Sequence, residues 1–122
     1  MALHNELGAS GEQKATEFLS QKGYEILCRN YRYGRAEIDI IARTGNIIVF
    51  TEVKTRTNYA FGYPEESVSL AKRKLLVKAA SNYLYENKLE FECRFDVIAI
   101  FKSKDNRWHF KHFEDAFFLY DE

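Results

Sequence analysis

The apolar and polar positions of the chain repeat with two different periods, which separates helical from extended segments. Residues 5–22 place small and apolar side chains on one helical side, and Gly23 is a suitable C-cap. Ser69 is a suitable N-cap for a second helix from Leu70 to about Glu86. Runs rich in β-branched and aromatic residues predict strands over residues 24–33, 38–42, 47–53 and 91–101, with an edge strand over 107–113. The predicted order is helix, three strands, helix, strand.

Composition favours one domain for these elements. The chain has 122 residues, of which 46% are hydrophobic, enough for one core. It has no repeat or low-complexity stretch, so we expect a single domain over residues 1–122. The apolar runs are too short to span a membrane, and the first residues do not resemble a secretion signal. Cys28 and Cys93 stand alone in predicted strands, which favours core thiols and a reducing, cytoplasmic location.

Two predicted strands carry charged residues inside apolar runs. Asp39 lies within Ile-Asp-Ile-Ile, and Glu52 and Lys54 lie within Thr-Glu-Val-Lys-Thr. A charge buried in a strand is costly unless it is paired or bound to a metal. These two strands are therefore the first candidates for chemistry.

The turn between these strands sets which of the charged residues meet. With Gly45-Asn46 as a two-residue turn, Asp39 lies opposite Glu52 and Glu37 lies opposite Lys54. All four side chains then project from one face of the hairpin. A slip of one residue would put Asp39 and Glu52 on opposite faces, so the prediction depends on the register.

Two carboxylates that face each other repel unless a cation lies between them. Their oxygens suit Mg²⁺ or Mn²⁺, and such an ion can polarise a phosphoryl group and acidify a bound water. Lys54 is then placed to orient that water or to offset charge in the transition state. The alternative is a structural strand pair in which Lys54 neutralises Glu37 or Glu52.

At these residues the chain resembles a nuclease superfamily. Asp39, twelve intervening residues and then Glu52-Val53-Lys54 resemble the PD-(D/E)xK signature in the form seen in archaeal Holliday junction resolvases. Nearly the whole chain is similar to the bacterial YraN family, predicted endonucleases related to those resolvases. The matching segments are Gly8, Gly11-Glu12, Ala15, Gly23-Tyr24, Asn30-Tyr31-Arg32, Glu37-Ile38-Asp39, Phe50 to Arg56 and Arg94 to Ile98. One departure is Ala36, which stands where that family usually has Gly. It affects only the local backbone, and every presumed catalytic position is filled.

The resemblance implies an α/β fold with a mixed (α+β) sheet, the restriction-endonuclease-like αβββαβ core flanked by helices. It implies a metal-dependent endonuclease whose ligands are Asp39, Glu52 and the Val53 carbonyl, with Lys54 as the catalytic lysine. Glu12 would complete the site from the first helix; the alternative is a glutamate at the edge of the packing face that reaches water. Glu37 is either a partner for Lys54 or an auxiliary ligand.

Charge does not by itself identify a nucleic-acid binder. Eighteen basic and eighteen acidic residues give a formal net charge of zero, whereas phosphate contacts usually require a basic surplus. Contacts would therefore be local, and the candidates are Arg35, Arg43 and Arg56 near the hairpin and Lys72 and Arg73 on the second helix. The alternative for the helix residues is a solvated face. Tyr59, Phe61 and Tyr63 either stack on bases or anchor their own loop, and His109 and His112 are expected to be structural or surface residues.

We therefore expect a nuclease that acts on nucleic acid, DNA rather than RNA, in a branched or structured form. A resolvase cuts two strands, so a symmetric homodimer would suit it. The rival hypothesis is a non-catalytic module on the same fold that binds nucleic acid or protein. A third hypothesis is cleavage of RNA or of single-stranded ends.

Overall fold

The computed structural model describes residues 2–56 and 68–117, with side chains from residues 10–56 and 68–116. This part of the chain forms two helices, α1 (Ala2–Gln21) and α2 (Leu70–Glu86), and one five-stranded sheet. The strands are β1 (Glu25–Tyr33), β2 (Ala36–Thr44), β3 (Ile47–Arg56), β4 (Glu92–Lys102) and β5 (Trp108–Phe117). The predicted order of elements is confirmed, with β5 as the added edge strand.

The sheet is mixed, in the strand order β1-β2-β3-β4-β5. Every neighbouring pair is antiparallel except β3 and β4, which are parallel. Parallel neighbours need a long crossover, and α2 lies in the segment that joins these two strands. The architecture is a mixed α/β fold, consistent with the α+β restriction-endonuclease-like core.

The two helices cover opposite faces of the sheet, which explains why the central strands are apolar on both sides. One core cluster joins Leu76 and Tyr83 of α2 to Phe50 and Phe95 of the sheet. The other joins α1 to the opposite face, with the residues Ala15, Leu19, Ile40, Ala42, Val49 and Ile98. Neither described helix is both long and apolar enough to cross a membrane.

Local chemistry fixes the end of α1 and the start of α2, as predicted. Gly23, after α1, adopts a φ of +93°, a left-handed conformation that glycine takes without steric cost. Ser69 Oγ accepts a hydrogen bond of 3.2 Å from the backbone nitrogen of Lys72 and caps α2. Cys28 and Cys93 are both free thiols on strands, and burial raises the pKa of Cys93.

The alternation of side chains between the two faces of the sheet shifts midway along both β1 and β2. Ile38 packs in the cluster on the α2 side, whereas Ile40 packs in the cluster on the α1 side. Residues two apart on a regular strand share a face, so the alternation of β2 shifts at Asp39. The pairing of β1 with β2 places Asn30 across from Asp39, and Asn30 has a left-handed φ of +54°. This shared irregularity decides which faces the acidic residues reach.

Candidate active site

The predicted register of the hairpin is confirmed. Thr44 pairs with Ile47 around the Gly45-Asn46 turn, and pairing continues to Ile40 opposite Thr51. Gly45 has a φ of +57°, as this kind of tight turn requires. One step further along the strands lie Asp39 and Glu52, the two predicted ligands.

At Asp39 the backbone pairing of β2 with β3 is replaced by a side-chain contact. The backbone nitrogen of Val53 donates to Asp39 Oδ2 at 2.7 Å. The carboxylate therefore lies between the two strands where they separate, and it satisfies a donor that would otherwise need a strand partner. This bond also fixes the orientation of the aspartate.

Asp39 and Glu52 form a buried acidic pair. Their exposed fractions are 8% and 9%. Burial, followed by the neighbouring charge of Glu52, raises the pKa of Asp39 to about 8, although the Val53 hydrogen bond acts in the opposite direction. Without a bound cation, burial and mutual repulsion therefore oppose ionisation of both carboxylates.

The two oxygens of Glu52 have different surroundings. Lys72 Nζ lies 3.0 Å from Oε1. Oε2 is buried, and among the described residues it has no hydrogen-bond partner. A buried polar atom without a partner costs about 1–3 kcal/mol, and a cation between Glu52 and Asp39 would remove that cost.

Glu12 approaches this pair from α1, on the other face of the sheet, and its charge acts on both acids. Burial and the charges of Glu37 and Glu52 raise the pKa of Glu12, and Arg29 opposes them. The side chain is half-buried beside these charges, and the role of Glu12 in the site stays a prediction. Three carboxylates from separate elements thus influence one another through the gap between β2 and β3.

Gly11 lets α1 come close enough to place Glu12 there. A Cβ atom at Gly11 would lie 2.7 Å from Thr55 Oγ1 and 3.4 Å from Ile100 Cγ2. Contacts of 2.7 Å are too short for carbon and oxygen that are not bonded, so a side chain at this position would force α1 or the Thr55 side chain to shift. The close approach of α1 to the sheet therefore explains why glycine stands beside Glu12.

Lys54 lies beside Glu52 on the α2 side of the sheet. Burial lowers the pKa of Lys54, the charge of Glu52 opposes that effect, and the nearby ammonium of Lys72 lowers it further. Two lysines thus approach the same glutamate, one from β3 and one from α2. The predicted proximity of Lys54 to Glu52 is confirmed.

The prediction that Glu37 lies opposite Lys54 is wrong. Glu37 Oε2 instead forms an ion pair with Arg32 Nε on β1, at a distance of 3.1 Å. Its strand neighbours face α2, so Glu37 projects toward α1, where it raises the pKa of Glu12. The reason is the shift of alternation at Asp39, which a regular hairpin does not have.

Comparison with known proteins assigns the chain to a family. A family model described as "Uncharacterised protein family UPF0102" matches residues 11–100, which contain all the acids and lysines of the candidate site. The chain belongs to the UPF0102 family. This is the YraN-type membership that the sequence motifs indicated.

Several UPF0102 proteins match over nearly their whole length. The chain is 50% identical over 118 residues to one from Flavobacterium psychrophilum, covering 97% of this chain and 98% of the relative. It is 49% identical over 120 residues to one from Christiangramia forsetii, with coverage of 98% and 100%. A third, from Chloroherpeton thalassium, is 47% identical over 116 residues, with coverage of 93% and 90%.

Lys72 of this UPF0102 protein is turned toward the acidic pair. A solvated helix face was one alternative for it, but its side chain is half-buried and contacts Glu52. Leu76 and Ala79 lie four and seven residues later and are buried in the core. That spacing extends the apolar stripe of α2 back to Lys72 and was the available signal.

The arginines predicted to contact phosphate lie in different parts of the fold. Arg35 is exposed in the turn before β2, and Arg56 is close enough to Lys54 to lower its pKa. Arg73 Nε donates to Val68 O at 3.1 Å beside the start of α2. All three stay candidates for phosphate binding.

Arg43 lies away from the carboxylates, at the far end of the hairpin. It donates to Gly45 O at 2.8 Å, and its guanidinium lies 4.6 Å from the centre of the Phe91 ring. Tyr59, Phe61 and Tyr63 fall outside the described residues, so their stacking on bases stays a prediction.

A third buried acid, Asp96, belongs to a structural network that was not predicted from the sequence. Arg94 donates to both of its oxygens, at 2.8 and 2.9 Å, and His112 Nε2 lies 2.7 Å from Oδ2. Burial alone would raise the pKa of Asp96, but bonds from His112 and Arg94 hold it below its ordinary value. His112 is therefore structural, as predicted, and it ties β5 to β4.

The ligand chemistry of the site fits a hard divalent cation in part. Among the described residues, no three Asp, Glu, His or Cys side chains converge into a complete protein-only site. Mg²⁺ usually keeps several waters and takes one or two carboxylates, which is the number that Asp39 and Glu52 supply. The orphaned Glu52 oxygen is the observation that favours the fit.

Proposed function

We propose that this UPF0102 protein is a metal-dependent endonuclease that hydrolyses phosphodiester bonds in nucleic acid. The acidic pair carries the proposal: Asp39 and Glu52 are buried side by side where two strands separate, and one Glu52 oxygen is buried without a partner. The raised pKa of Asp39 supports the proposal, because such shifts are commoner at functional sites than elsewhere in proteins.

Mg²⁺ or Mn²⁺ would be held by Asp39, Glu52 and the carbonyl of Val53. When bound, such an ion supplies polarisation of the phosphoryl group and acidification of a water. The Val53 hydrogen bond to Asp39 keeps one of these carboxylates in a fixed orientation, which reduces the reorganisation needed at the site.

The remaining residues act on the water and the phosphate. Lys54 is half-buried beside Glu52, so its ammonium can orient the attacking water or offset charge on the transition state. Glu12 adds a third carboxylate with a raised pKa, which would take a proton from that water. Arg35, Arg56 and Arg73 would contact phosphates of the substrate around the site.

The proposed substrate is branched or otherwise structured DNA, which rests on the resemblance to junction resolvases. A symmetric homodimer would present two such sites to two strands. The two free cysteines agree with a reducing, cytoplasmic location.

A cleavage assay with matched variants tests the proposal. Duplex, flap and four-way-junction DNA and the equivalent RNAs are incubated with Mg²⁺, Mn²⁺ or EDTA. We expect metal-dependent cleavage that Asp39→Asn and Glu52→Gln both abolish, whereas Glu25→Gln, an exposed acid on β1, leaves it unchanged.

The zero formal net charge gives no general attraction to a nucleic-acid substrate and so leaves open one alternative, a module that binds nucleic acid or protein without cleaving. Binding with no cleavage of any substrate in any metal, and equal affinity in the variants, would establish that alternative. Cleavage that survives both substitutions would place the active site elsewhere.

A further inference from the structure

Lys72 is held against the acidic pair by the first turn of α2. Its Nζ lies 3.0 Å from Glu52 Oε1, and the side chains of Lys72 and Glu52 are 38% and 10% exposed. The backbone nitrogen of Lys72 bonds to the Ser69 cap, and Leu76, one turn later, is buried in the core. The lysine thus starts from a fixed backbone and points to the sheet, while Lys74 and Lys78 of the same helix are exposed.

The contact places a positive charge where the proposed cation would bind. Burial opposes the charge on Lys72, but Glu52 outweighs that effect and the pKa of Lys72 is raised. Lys54 lies close enough to feel the same ammonium. A divalent cation added between Asp39 and Glu52 would lie beside the ammonium groups of Lys72 and Lys54, and its repulsion of them weakens the contact of Lys72 with Glu52.

We propose that Lys72 is the exchangeable counter-charge of the site: it neutralises Glu52 in the metal-free protein and moves to a substrate phosphate when the cation binds. The inference rests on the proposed function, because it needs both a cation and a phosphodiester. Lys72 is half-exposed and has a long flexible side chain, so it can leave Glu52 without unfolding α2.

Two consequences follow from this exchange. In the free protein Lys72 competes with the cation for Glu52, so metal binding is weakened. Substrate phosphate removes the competitor, so metal and nucleic acid favour each other's binding, and this coupling is reciprocal. A lysine that merely supported the fold would produce neither effect.

The predicted effect on metal binding is tested by titrating the substrate-free protein with Mn²⁺. Binding is monitored by calorimetry or electron paramagnetic resonance. We expect Lys72→Met to bind Mn²⁺ about two- to tenfold more tightly than the wild type, since an ion pair no longer competes. Lys78→Met makes the same change of net charge on an exposed part of α2 and should leave the affinity unchanged. Lys72→Gln should repeat the Lys72→Met result with a polar side chain.

The phosphate consequence is tested by fluorescence anisotropy with a labelled oligonucleotide, at several salt concentrations and with or without Mn²⁺, using Asp39→Asn where cleavage must be prevented. Lys72→Met should weaken binding several-fold and reduce the salt slope by about one phosphate contact relative to Lys78→Met. In the wild type, oligonucleotide should increase the affinity for Mn²⁺, and in Lys72→Met this increase should be smaller.

The outcomes separate this inference from the function on which it rests. If the wild type binds Mn²⁺ and cleaves, but Lys72→Met binds Mn²⁺ no more tightly than Lys78→Met, the exchange is overturned and the nuclease stands. Equal losses of oligonucleotide affinity in the two variants would likewise overturn it, as an effect of net charge. If neither the wild type nor Lys72→Met binds Mn²⁺, both proposals fail.

Discussion

The backbone nitrogen of Val53 donates to Asp39 Oδ2 at 2.7 Å, so an acidic side chain takes the place of a strand partner where β2 leaves β3. The bond explains how a buried carboxylate is kept in one orientation in the middle of an apolar sheet. It also joins the two halves of the acidic motif, because Val53 follows directly after Glu52.

The raised pKa of Asp39 predicts how stability depends on pH. Burial and Glu52 raise this pKa from an ordinary value of 3.8 to about 8. Between those values the folded protein holds a proton that the unfolded chain has released, so this group's contribution to the free energy of unfolding falls as the pH rises. In EDTA, the Tm of the wild type should therefore fall more steeply from about pH 5 to about pH 8 than that of Asp39→Asn.

Added Mg²⁺ or Mn²⁺ should reverse this trend, because a cation stabilises the ionised pair that forms at high pH. Parallel Tm profiles for the wild type and Asp39→Asn, measured by circular dichroism or calorimetry, would contradict the assignment of the titration to this pair.

Replacing Lys54 by Met should reduce cleavage about a hundred- to a thousandfold, the usual loss when one charge-stabilising group is removed. The substitution keeps the length of the side chain and removes the ammonium beside Glu52. Single-turnover cleavage rates measure it, and Lys74→Met, an exposed lysine on α2, provides the control. A Lys54→Met protein that cleaves at the wild-type rate would leave this lysine with a structural role only.

Gly11→Ala should loosen α1 and weaken the site together. The added Cβ would lie 2.7 Å from Thr55 Oγ1, and overpacking of this kind costs about 1–3 kcal/mol. The better helix propensity of Ala offsets about 1 kcal/mol of that cost, so we expect a modest loss of stability and a larger loss of cleavage as Glu12 moves away.

Thr55→Ala in the same chain removes the clashing atoms and should restore cleavage in part. Ser10→Ala, at an exposed position of α1, serves as the control for propensity alone. If Gly11→Ala cleaves normally and melts at a higher temperature, the close approach of α1 does not matter for the site.

Asp96→Ala should destabilise the fold without changing the chemistry. Arg94, with its side chain 16% exposed, would lose its buried carboxylate partner and keep only the exposed Glu114 at 3.5 Å, and breaking a buried ion pair in this way costs about 3–5 kcal/mol. Asp105→Ala removes an exposed ion pair with Arg107 and should leave the stability almost unchanged. Urea unfolding measures both changes.

The affinity for Mn²⁺ distinguishes this structural role from a place in the active site. At temperatures where Asp96→Ala is folded, it should bind Mn²⁺ as the wild type does. A selective loss of Mn²⁺ binding in a folded Asp96→Ala protein would mean that the network supports the ligands.

The sequence by itself determined the hairpin register, both helix ends and the identity of the acidic pair. These depend on residues close together in the chain: the Gly45-Asn46 turn pairs Thr44 with Ile47, and Ser69 caps α2. Because a two-residue turn leaves little freedom to slip, Asp39 and Glu52 could be matched before any contact was known.

Only the tertiary structure decided which side chains gather around that pair. The change of face at Asp39 sends Glu37 toward α1, the close approach at Gly11 brings in Glu12, and the rotation of α2 turns Lys72 inward. Each depends on how distant segments pack against the two faces of one sheet, and local periodicity does not encode that packing. The sequence therefore identified the acids, and the packing of two helices on opposite faces of the sheet assembled the site around them.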